Sequence, residues 1–188
     1  MRVSREQAAK NREHVVDTAA RLFRERGYDG IGVADLMKEA GLTHGGFYGN
    51  FASKEQLMAE ACQKAFAGAA ERWAALIAAD GSTARDAITS RYLSRRHVEH
   101  PGYGCAVATL GADAARLSTP VRAAMTEGIK GQIATLAAIE PGAAAAARAA
   151  AISHYASMIG ALVLARAVDD PALADEILAT VRQHTNSQ

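Results

Sequence analysis

The segment spanning residues 30–58 restricts the fold of this chain more than any other stretch. Apolar residues recur at three- and four-residue steps from Val33 to Ala40, so this part predicts a short amphipathic helix. Gly41 follows, and glycine readily adopts the positive φ that ends a helix. Thr43 is a suitable N-cap for a second short helix, from His44 to about Asn50. The segment therefore predicts two helices joined by a tight turn.

Two helices in this arrangement form either a helix-turn-helix, whose second helix enters the DNA major groove, or an ordinary helical hairpin. The outward face of the second helix favours DNA binding, because its small and hydrogen-bonding groups can approach phosphates and base edges. Phe47 and Phe51 are predicted to be core residues, and His44 could also be a solvated surface residue. The predicted DNA contacts are Thr43, His44, Gly45, Gly46, Tyr48, Asn50 and Lys54.

A long helix is predicted directly after this segment, from Lys54 to about Ala79. Ser53 is its expected N-cap, and Gln56, three residues later, is the expected partner in a capping box. A helix of this length spans about 37 Å, so it would connect the first part of the chain to the rest as one rigid element. Lys54 would lie at its positive end, where a phosphate is also favoured.

Two runs resemble the DNA-binding domain of the tetracycline-repressor (TetR) family: ARLFRERGYDGIGVADLMKEA and GLTHGGFYGNFASKEQLMAEA. The match covers about residues 11–61, and its specific part is the FY…F-x-SKE-x-L signature after the turn glycine. The resemblance implies an all-α fold with an N-terminal three-helix helix-turn-helix domain at residues 1–53. A helical effector-binding and dimerisation domain would occupy residues 54–188, for about nine helices in total. Gly32, Gly49 and Asn50 depart from the commonest family pattern.

Composition agrees with a globular, mainly helical protein. Hydrophobic residues make up 49% of the chain and charged residues 22%, and there are only 4 prolines. The net charge is +1, so DNA binding would depend on local Lys and Arg placement rather than on bulk charge. No apolar signal core or run of about 18 apolar residues is evident, which predicts a cytoplasmic protein without a membrane partner. Two cysteines do not form a disulfide framework.

Glycine and proline divide the remaining chain into further predicted helices. Residues 1–10 form either a solvated arm or an arm that contacts phosphates or the minor groove. The first helix is predicted to start at about Ser4 or Arg12 and to end at Arg26. The later helices are predicted over about residues 83–98, 105–116, 118–139, 143–168 and 172–184.

The last two predicted helices carry apolar faces that need a partner. They could form an internal hairpin, or they could pack against a second copy in a four-helix bundle, as the TetR resemblance implies. We favour the second copy, because the resemblance implies it and because two-fold symmetry is the commonest arrangement of oligomers. The predicted interface comprises Ser153, Ala156, Ser157, Gly160, Ala161, Leu164, Leu173, Ile177 and Val181.

An effector pocket within the C-terminal part is also implied by the resemblance. Aromatic and methionine side chains there would suit a flat, largely apolar molecule, although each could equally be plain core. The predicted lining is Trp73, Tyr92, Tyr103, Cys105, Leu110, Met125, Ile129, Tyr155 and Met158.

Cys105 could be either a chemical sensor or a small buried hydrophobe. It follows Gly-Tyr-Gly at a predicted helix N-terminus, and Arg95, Arg96, His97 and His100 are close in sequence. A helix dipole and nearby cations favour the reactive thiolate form of a cysteine. A metal site with the two histidines is a further alternative, but the spacing matches no zinc pattern.

These features predict a dimeric transcriptional regulator that binds double-stranded DNA, most simply a repressor of a palindromic operator. A small-molecule effector or modification of Cys105 would release it from DNA. An activator of the same family is the alternative, followed by an α-helical enzyme or carrier and by a purely structural dimerisation module. No cofactor or metal is predicted, and no catalytic residue, because we find no nucleophile–base pair, phosphate loop or paired carboxylates.

Overall fold

The computed structural model describes residues 4–186, and for Asn186 it describes the backbone only. Within these residues the regular structure is helical, with no strand, and Arg2 of the predicted arm lies outside them. The α-helices are α1 (Arg5–Arg26), α2 (Val33–Glu39), α3 (Lys54–Asp80), α4 (Ala84–Tyr92), α5 (Arg95–Glu99), α6 (Ala106–Ala114), α7 (Thr119–Ala137), α8 (Ala144–Ala167) and α9 (Pro171–Asn186). The all-α prediction is confirmed.

Helix ends follow the capping residues that the sequence supplies. The Ser4 hydroxyl accepts a hydrogen bond from the Gln7 amide, so α1 begins at Arg5 and most of the predicted arm is helical. The Ser53 hydroxyl accepts from the Gln56 amide at 3.1 Å, as predicted for a capping box. The Gln56 side chain reaches one residue further back than predicted and accepts from the Ala52 amide at 2.8 Å.

The predicted recognition helix over His44–Asn50 is the main difference within the helix-turn-helix. Gly41 has a φ of +68° and ends α2 as expected. The chain then forms only a 3₁₀ turn over His44–Gly46, followed by hydrogen-bonded turns. Glycines at positions 45, 46 and 49 explain this, because each lowers the stability of an α-helix by about 1 kcal/mol relative to alanine. Thr43 occupies the N-cap position, but its side chain makes no cap hydrogen bond.

The single helix predicted over residues 83–98 is wrong, because the chain bends at Leu93 and forms two helices, α4 and α5. Leu93 leaves the helical conformation and is buried. The Ser94 hydroxyl then accepts from the His97 amide and caps α5. After the bend, α5 packs against α8, and the following 3₁₀ turn, Pro101–Tyr103, packs against α1.

Apolar residues form two clusters along α3. The first cluster contains residues of α1, α2, the recognition segment (His44–Asn50) and the first half of α3. It also contains residues of α6 and of the start of α7. The second joins the later part of α3 to α4, α8 and α9. The core does not divide at residue 53, so a domain boundary there stays a prediction.

Helices α3 and α7 cross in unusually close contact at Gly128. A Cβ atom at Gly128 would lie 2.1 Å from the ring of Phe66, which is far closer than two carbon atoms can approach. Any larger residue at this crossing would therefore push α3 and α7 apart.

Helix α8 is apolar enough to match a membrane span by length and composition, with a mean hydropathy of 1.2 over 18 residues. It packs between α7 and α9, as the core helix of a globular domain does. Only 39% of this window is buried, so much of its apolar surface is uncovered in a single copy.

A buried polar network joins the ends of four helices. Glu140, just after α7, accepts from Arg85 Nε at 2.9 Å and lies 3.3 Å from His154 Nδ1. The other ring nitrogen of His154 lies 2.8 Å from the Thr89 hydroxyl, and Arg85 also donates to the carbonyl of Thr185 in α9. These contacts satisfy charges that would otherwise be costly to bury.

Candidate DNA-contacting turn and effector cavity

The recognition segment presents polar groups outward on an aromatic base. Phe47 and Phe51 are buried, with ring centroids 5.5 Å apart, so their assignment to the core is confirmed. Tyr48 is 68% exposed and packs edge-on against Phe47 and against His44. The predicted contacts Thr43, His44, Gly45 and Tyr48 are exposed, whereas Gly46, Asn50 and Lys54 are half-buried.

Asn50 has a structural task in addition to its predicted role. Its amide nitrogen donates to the carbonyl of Gly46 at 2.7 Å and so closes the recognition turn. Arg12 of α1 donates to the carbonyl of Asn50 at 3.4 Å, stacks over the ring of Phe51 and pairs with Glu60 at 2.7 Å. Arg12 was not identified from the sequence, because its partners are 38 to 48 residues away.

A cavity of about 740 Å³ opens between α3, α4, α5, the 3₁₀ turn and α6. This volume lies within the usual range for small-molecule sites. Five of the predicted lining residues border it: Trp73, Tyr92, Tyr103, Cys105 and Tyr155. Residues not identified from the sequence include Phe66, Arg72, Leu76, Ile88, Arg91 and Gln132.

The other predicted lining residues lie outside this cavity. Met158 and Leu110 are fully buried in the second and first apolar clusters, respectively. Met125 is buried in the first cluster, and Ile129 packs against both. At these four positions the structure supports the plain-core alternative, because the type of a side chain does not show whether a neighbour fills the space beside it.

Cys105 lies on the cavity wall as the N-cap of α6, as predicted. Its Sγ lies 3.8 Å from the Tyr155 hydroxyl. Burial, followed by the nearby Cys105, raises the pKa of Tyr155 well above its usual range, so this hydroxyl keeps its proton. The thiol therefore lies beside a neutral hydroxyl group, and either group can donate the hydrogen bond.

His97 holds the backbone of Cys105 in place. Its Nδ1 lies 2.7 Å from the carbonyl of Tyr92, which can only accept, so Nδ1 carries the proton. Its Nε2 then accepts from the Cys105 amide at 2.9 Å. Burial lowers the pKa of His97 to about 4, despite the raising effect of the Tyr92 bond.

The predicted cationic surroundings of Cys105 need correction at two residues. His97 is neutral near pH 7, so it contributes no positive charge to the thiol. Arg95 instead pairs with Asp175 of α9. Among the residues that the structure describes, no group of three His, Cys, Asp or Glu side chains could hold a metal ion.

The turn beside Cys105 is tied directly to the first helix. Arg24 of α1 donates through both Nε and Nη2 to the carbonyl of Gly102, with Nε at 2.9 Å. Burial lowers the pKa of Arg24 to about 10, so the guanidinium stays charged near neutral pH. Arg72 reaches the carbonyl of Tyr103 at 3.5 Å. The bond from Arg24 to Gly102 therefore connects the cavity wall to the helix-turn-helix in addition to the connection through α3.

The predicted dimer residues on α8 and α9 fall into two groups. Ala161 is buried within the chain, so its assignment to an exposed interface is wrong. Ile177 and Val181 are half-buried against the second cluster. The other predicted residues are exposed or half-exposed: Ser153, Ala156, Ser157, Gly160, Leu164 and Leu173. Ile152 and Val163, not predicted, add exposed apolar surface to α8.

Comparisons with known proteins agree with this architecture. The family model of bacterial regulatory proteins, tetR family, matches residues 15–61. The transcriptional repressor NemR of Escherichia coli K12 is 33% identical over 135 residues, which cover 70% of this chain and 68% of NemR.

Two solved structures resemble the whole chain. The reduced form of E. coli NemR has a TM-score of 0.79 and 26% identity, covering 95% of this chain and 96% of its own. A TetR-family regulator from Cytophaga hutchinsonii has a TM-score of 0.81 and 21% identity, covering 100% and 98%. The chain belongs to the TetR family of bacterial regulators, and it is a ligand-responsive, DNA-binding protein of transcription control.

Proposed function

We propose that this protein represses transcription as a cytoplasmic dimer on palindromic DNA and is released when the cavity is occupied or Cys105 is modified. One observation carries the proposal: the loop that leads to Cys105 is bonded to α1 through Arg24 and the Gly102 carbonyl. A change in the cavity wall therefore acts directly on the helix that supports the recognition turn.

The DNA-binding part of the proposal rests on the exposed face around Tyr48. Thr43, His44 and Tyr48 place hydroxyl and imidazole groups on one surface, and Gly45 lets the backbone approach closely. Lys54 begins α3, where the helix dipole also favours a phosphate. Two such turns in a dimer would contact successive major-groove faces about 34–36 Å apart or somewhat more.

The dimer part rests on the uncovered apolar side of α8. Ile152, Val163 and Leu164 are each more than 40% exposed, and Leu173 of α9 adds to them. Monomeric proteins rarely expose contiguous apolar area of this kind, and a second copy would cover it through two-fold symmetry.

Modification of Cys105 would act on the same wall as a bound molecule. With an α,β-unsaturated carbonyl, Sγ would bond to the β-carbon, the alkene π pair would move toward the α-carbon, and the thiol proton would end there. The added group would occupy cavity space beside Tyr155. The solved structure of the relative NemR is of its reduced form, which supports testing this chain for thiol chemistry.

Fluorescence-anisotropy binding to the DNA flanking its own gene, and to a random duplex across a salt series, tests the DNA-binding proposal. We expect tight binding to the flanking DNA only, and its loss in the double variant Tyr48→Ala, Lys54→Ala. Equal weak binding to both duplexes, followed by no enriched sequence from a random-duplex selection, would refute operator recognition. Turnover of a small molecule without DNA binding would instead favour the enzyme or carrier alternative.

Alkylation with N-ethylmaleimide separates the cysteine route from non-specific damage. We expect operator release in the wild type and in Cys62→Ser, but not in Cys105→Ser. Cys62 is fully buried, and burial raises the pKa of its thiol to about 11, so it is the matched unreactive control. Release that persists in Cys105→Ser would exclude this residue as the sensor.

A further inference from the structure

Three arginines border the cavity: Arg72, Arg91 and Arg96. Within residues 4–186, none of the three forms an ion pair with a carboxylate. Other arginines of the chain do have such partners; Arg12, Arg85 and Arg95 are examples. The cavity therefore collects unpaired positive charge.

Two of these arginines, Arg72 and Arg91, lie close enough for their charges to disfavour one another. Burial lowers the pKa of Arg72, and the positive charge of Arg91 lowers it further, while Glu71 acts in the opposite direction. Two like charges at one opening are unfavourable unless an anion joins them. Among the described residues that line the cavity, none is Asp or Glu, so the chain does not supply that anion from within.

The inner wall of the cavity is apolar and aromatic. Trp73 and Tyr155 meet edge to face with ring centroids 5.9 Å apart, and Phe66, Leu76 and Ile88 continue this surface. This surface suits a ring system or a similar apolar body.

One buried polar atom of a lining residue lacks a hydrogen-bond partner within the described part of the chain. It is Oε1 of Gln132, whose residue is 3% exposed. Buried polar groups are nearly always satisfied, and Oε1 of an amide can only accept. A bound molecule that donates a hydrogen bond would satisfy Gln132.

We infer that the effector is an amphipathic organic anion: an aromatic carboxylate whose body also carries a hydroxyl group. Its carboxylate would lie between Arg91 and Arg72 at the opening, its rings against Trp73 and Tyr155, and its hydroxyl toward Gln132. Arginine suits this role because its planar guanidinium binds a carboxylate through two parallel hydrogen bonds. This inference rests on the proposed function and names the chemical class of its effector.

A matched set of naphthalene compounds tests the inference by isothermal titration calorimetry on the full chain, without DNA. The probes are 6-hydroxy-2-naphthoate, 2-naphthoate, 2-naphthol and 2-naphthylmethylammonium, which vary charge and hydroxyl on one ring system. We expect 6-hydroxy-2-naphthoate to bind most tightly and 2-naphthoate next. We expect 2-naphthol to bind at least about tenfold more weakly than the hydroxynaphthoate, and the cation not at all.

Arg91→Gln identifies the contact, because the structure gives its side chain no ion pair that the substitution would break. We expect about tenfold weaker binding of both naphthoates and less than about twofold change for 2-naphthol. Arg122→Gln, at an exposed position on α7 outside the lining, is the control and should bind like the wild type. Circular dichroism melting of each variant excludes a folding defect.

Equal affinity for 2-naphthoate and 2-naphthol in the wild type would overturn the inference. So would equal effects of Arg91→Gln and Arg122→Gln, or no binding of either naphthoate up to about 1 mM. The proposed function fails separately, through the operator-binding and alkylation experiments. A neutral molecule that releases the operator would leave the proposed function standing and exclude the anion.

Discussion

The two apolar clusters along α3 have similar residues but differ in how completely they are filled. In the first, the rings of Phe23, Tyr28, Phe47 and Phe51 are almost completely buried, and none of these four residues borders the cavity of about 740 Å³. The second contains equally buried aliphatic residues, yet its aromatic side chains Trp73 and Tyr155 border open space.

The two cysteines follow the same division. Cys62 lies inside the first cluster near Tyr28, whereas Cys105 lies on the cavity wall of the second. The chain therefore keeps its recognition turn on a packed support and leaves open space beside its second cluster.

The largest expected effect on stability compares a residue in packed surroundings with a residue that borders the cavity. Phe47→Ala should lower the free energy of unfolding by about 4 kcal/mol, because it leaves a cavity in a packed region. Trp73→Ala should cost about half as much, because one side of the indole already lacks contacts. Urea unfolding followed by circular dichroism measures both; a larger loss for Trp73→Ala would contradict the comparison.

The polar network of the second cluster predicts the next effect. Glu140→Gln should lower the free energy of unfolding by about 3 kcal/mol, because it leaves Arg85 without its buried partner. Glu127→Gln breaks an exposed pair with Lys130 and should cost less than about 0.5 kcal/mol. Similar losses in the two variants would show that the network does not hold the cavity side together.

Acid should weaken the cavity wall through His97. Its pKa is about 4 in the folded chain and about 6.5 when unfolded, so both states are neutral above pH 6.5. As the pH falls from 6.5 to 4, the unfolded state binds a proton that the folded state does not, which removes about 2 to 3 kcal/mol of stability.

Urea titrations from pH 7.5 to 4.5 would measure this loss. His97→Gln should reduce the pH dependence, whereas His100→Gln, at an exposed residue, should leave it unchanged. His154 also has a pKa lowered by burial, but it contributes equally to both variants. An unaltered pH profile in His97→Gln would exclude the proposed hydrogen-bonding role of the neutral ring.

The smallest expected effects on stability come from replacing each of the two cysteines with alanine. Cys62→Ala should lower the free energy of unfolding by about 1 kcal/mol, because the packed first cluster cannot fill the lost volume. Cys105→Ala should change it by less than about 0.5 kcal/mol, because the cavity already adjoins the thiol. Equal losses, measured by urea unfolding, would show that the wall around Cys105 is packed as tightly as the first cluster.

Features with a local cause could be predicted from the sequence. The cap at Ser53 and the turn at Gly41 depend on neighbouring residues only, and the structure confirms them. Of the two predicted starts of the first helix, the structure supports the one near Ser4. The break at Leu93 had a local signal that was missed. Ser94 is a typical N-cap residue, and its hydroxyl accepts a hydrogen bond from the amide of His97.

Features with a long-range cause could not be predicted. The bond from Arg24 to Gly102 joins residues 78 apart, and no periodicity indicates it. Met125 and Met158 are core residues, the alternative that the sequence left open, because whether a buried residue meets a void depends on helices far away in sequence. The α-helix predicted for the recognition segment was wrong, because three glycines outweigh its helical apolar pattern.

Phe66, which meets Gly128 at the close crossing of α3 and α7, lies near the middle of α3. From Phe66, α3 extends about 18 Å to Lys54 and about 21 Å to Asp80, at 1.5 Å per residue. If α3 pivots there as a rigid rod, a displacement at its far end reaches Lys54 reversed in direction and only slightly reduced. Because the two parts of α3 are nearly equal in length, most of the small shift that a bound molecule causes would then reach Lys54.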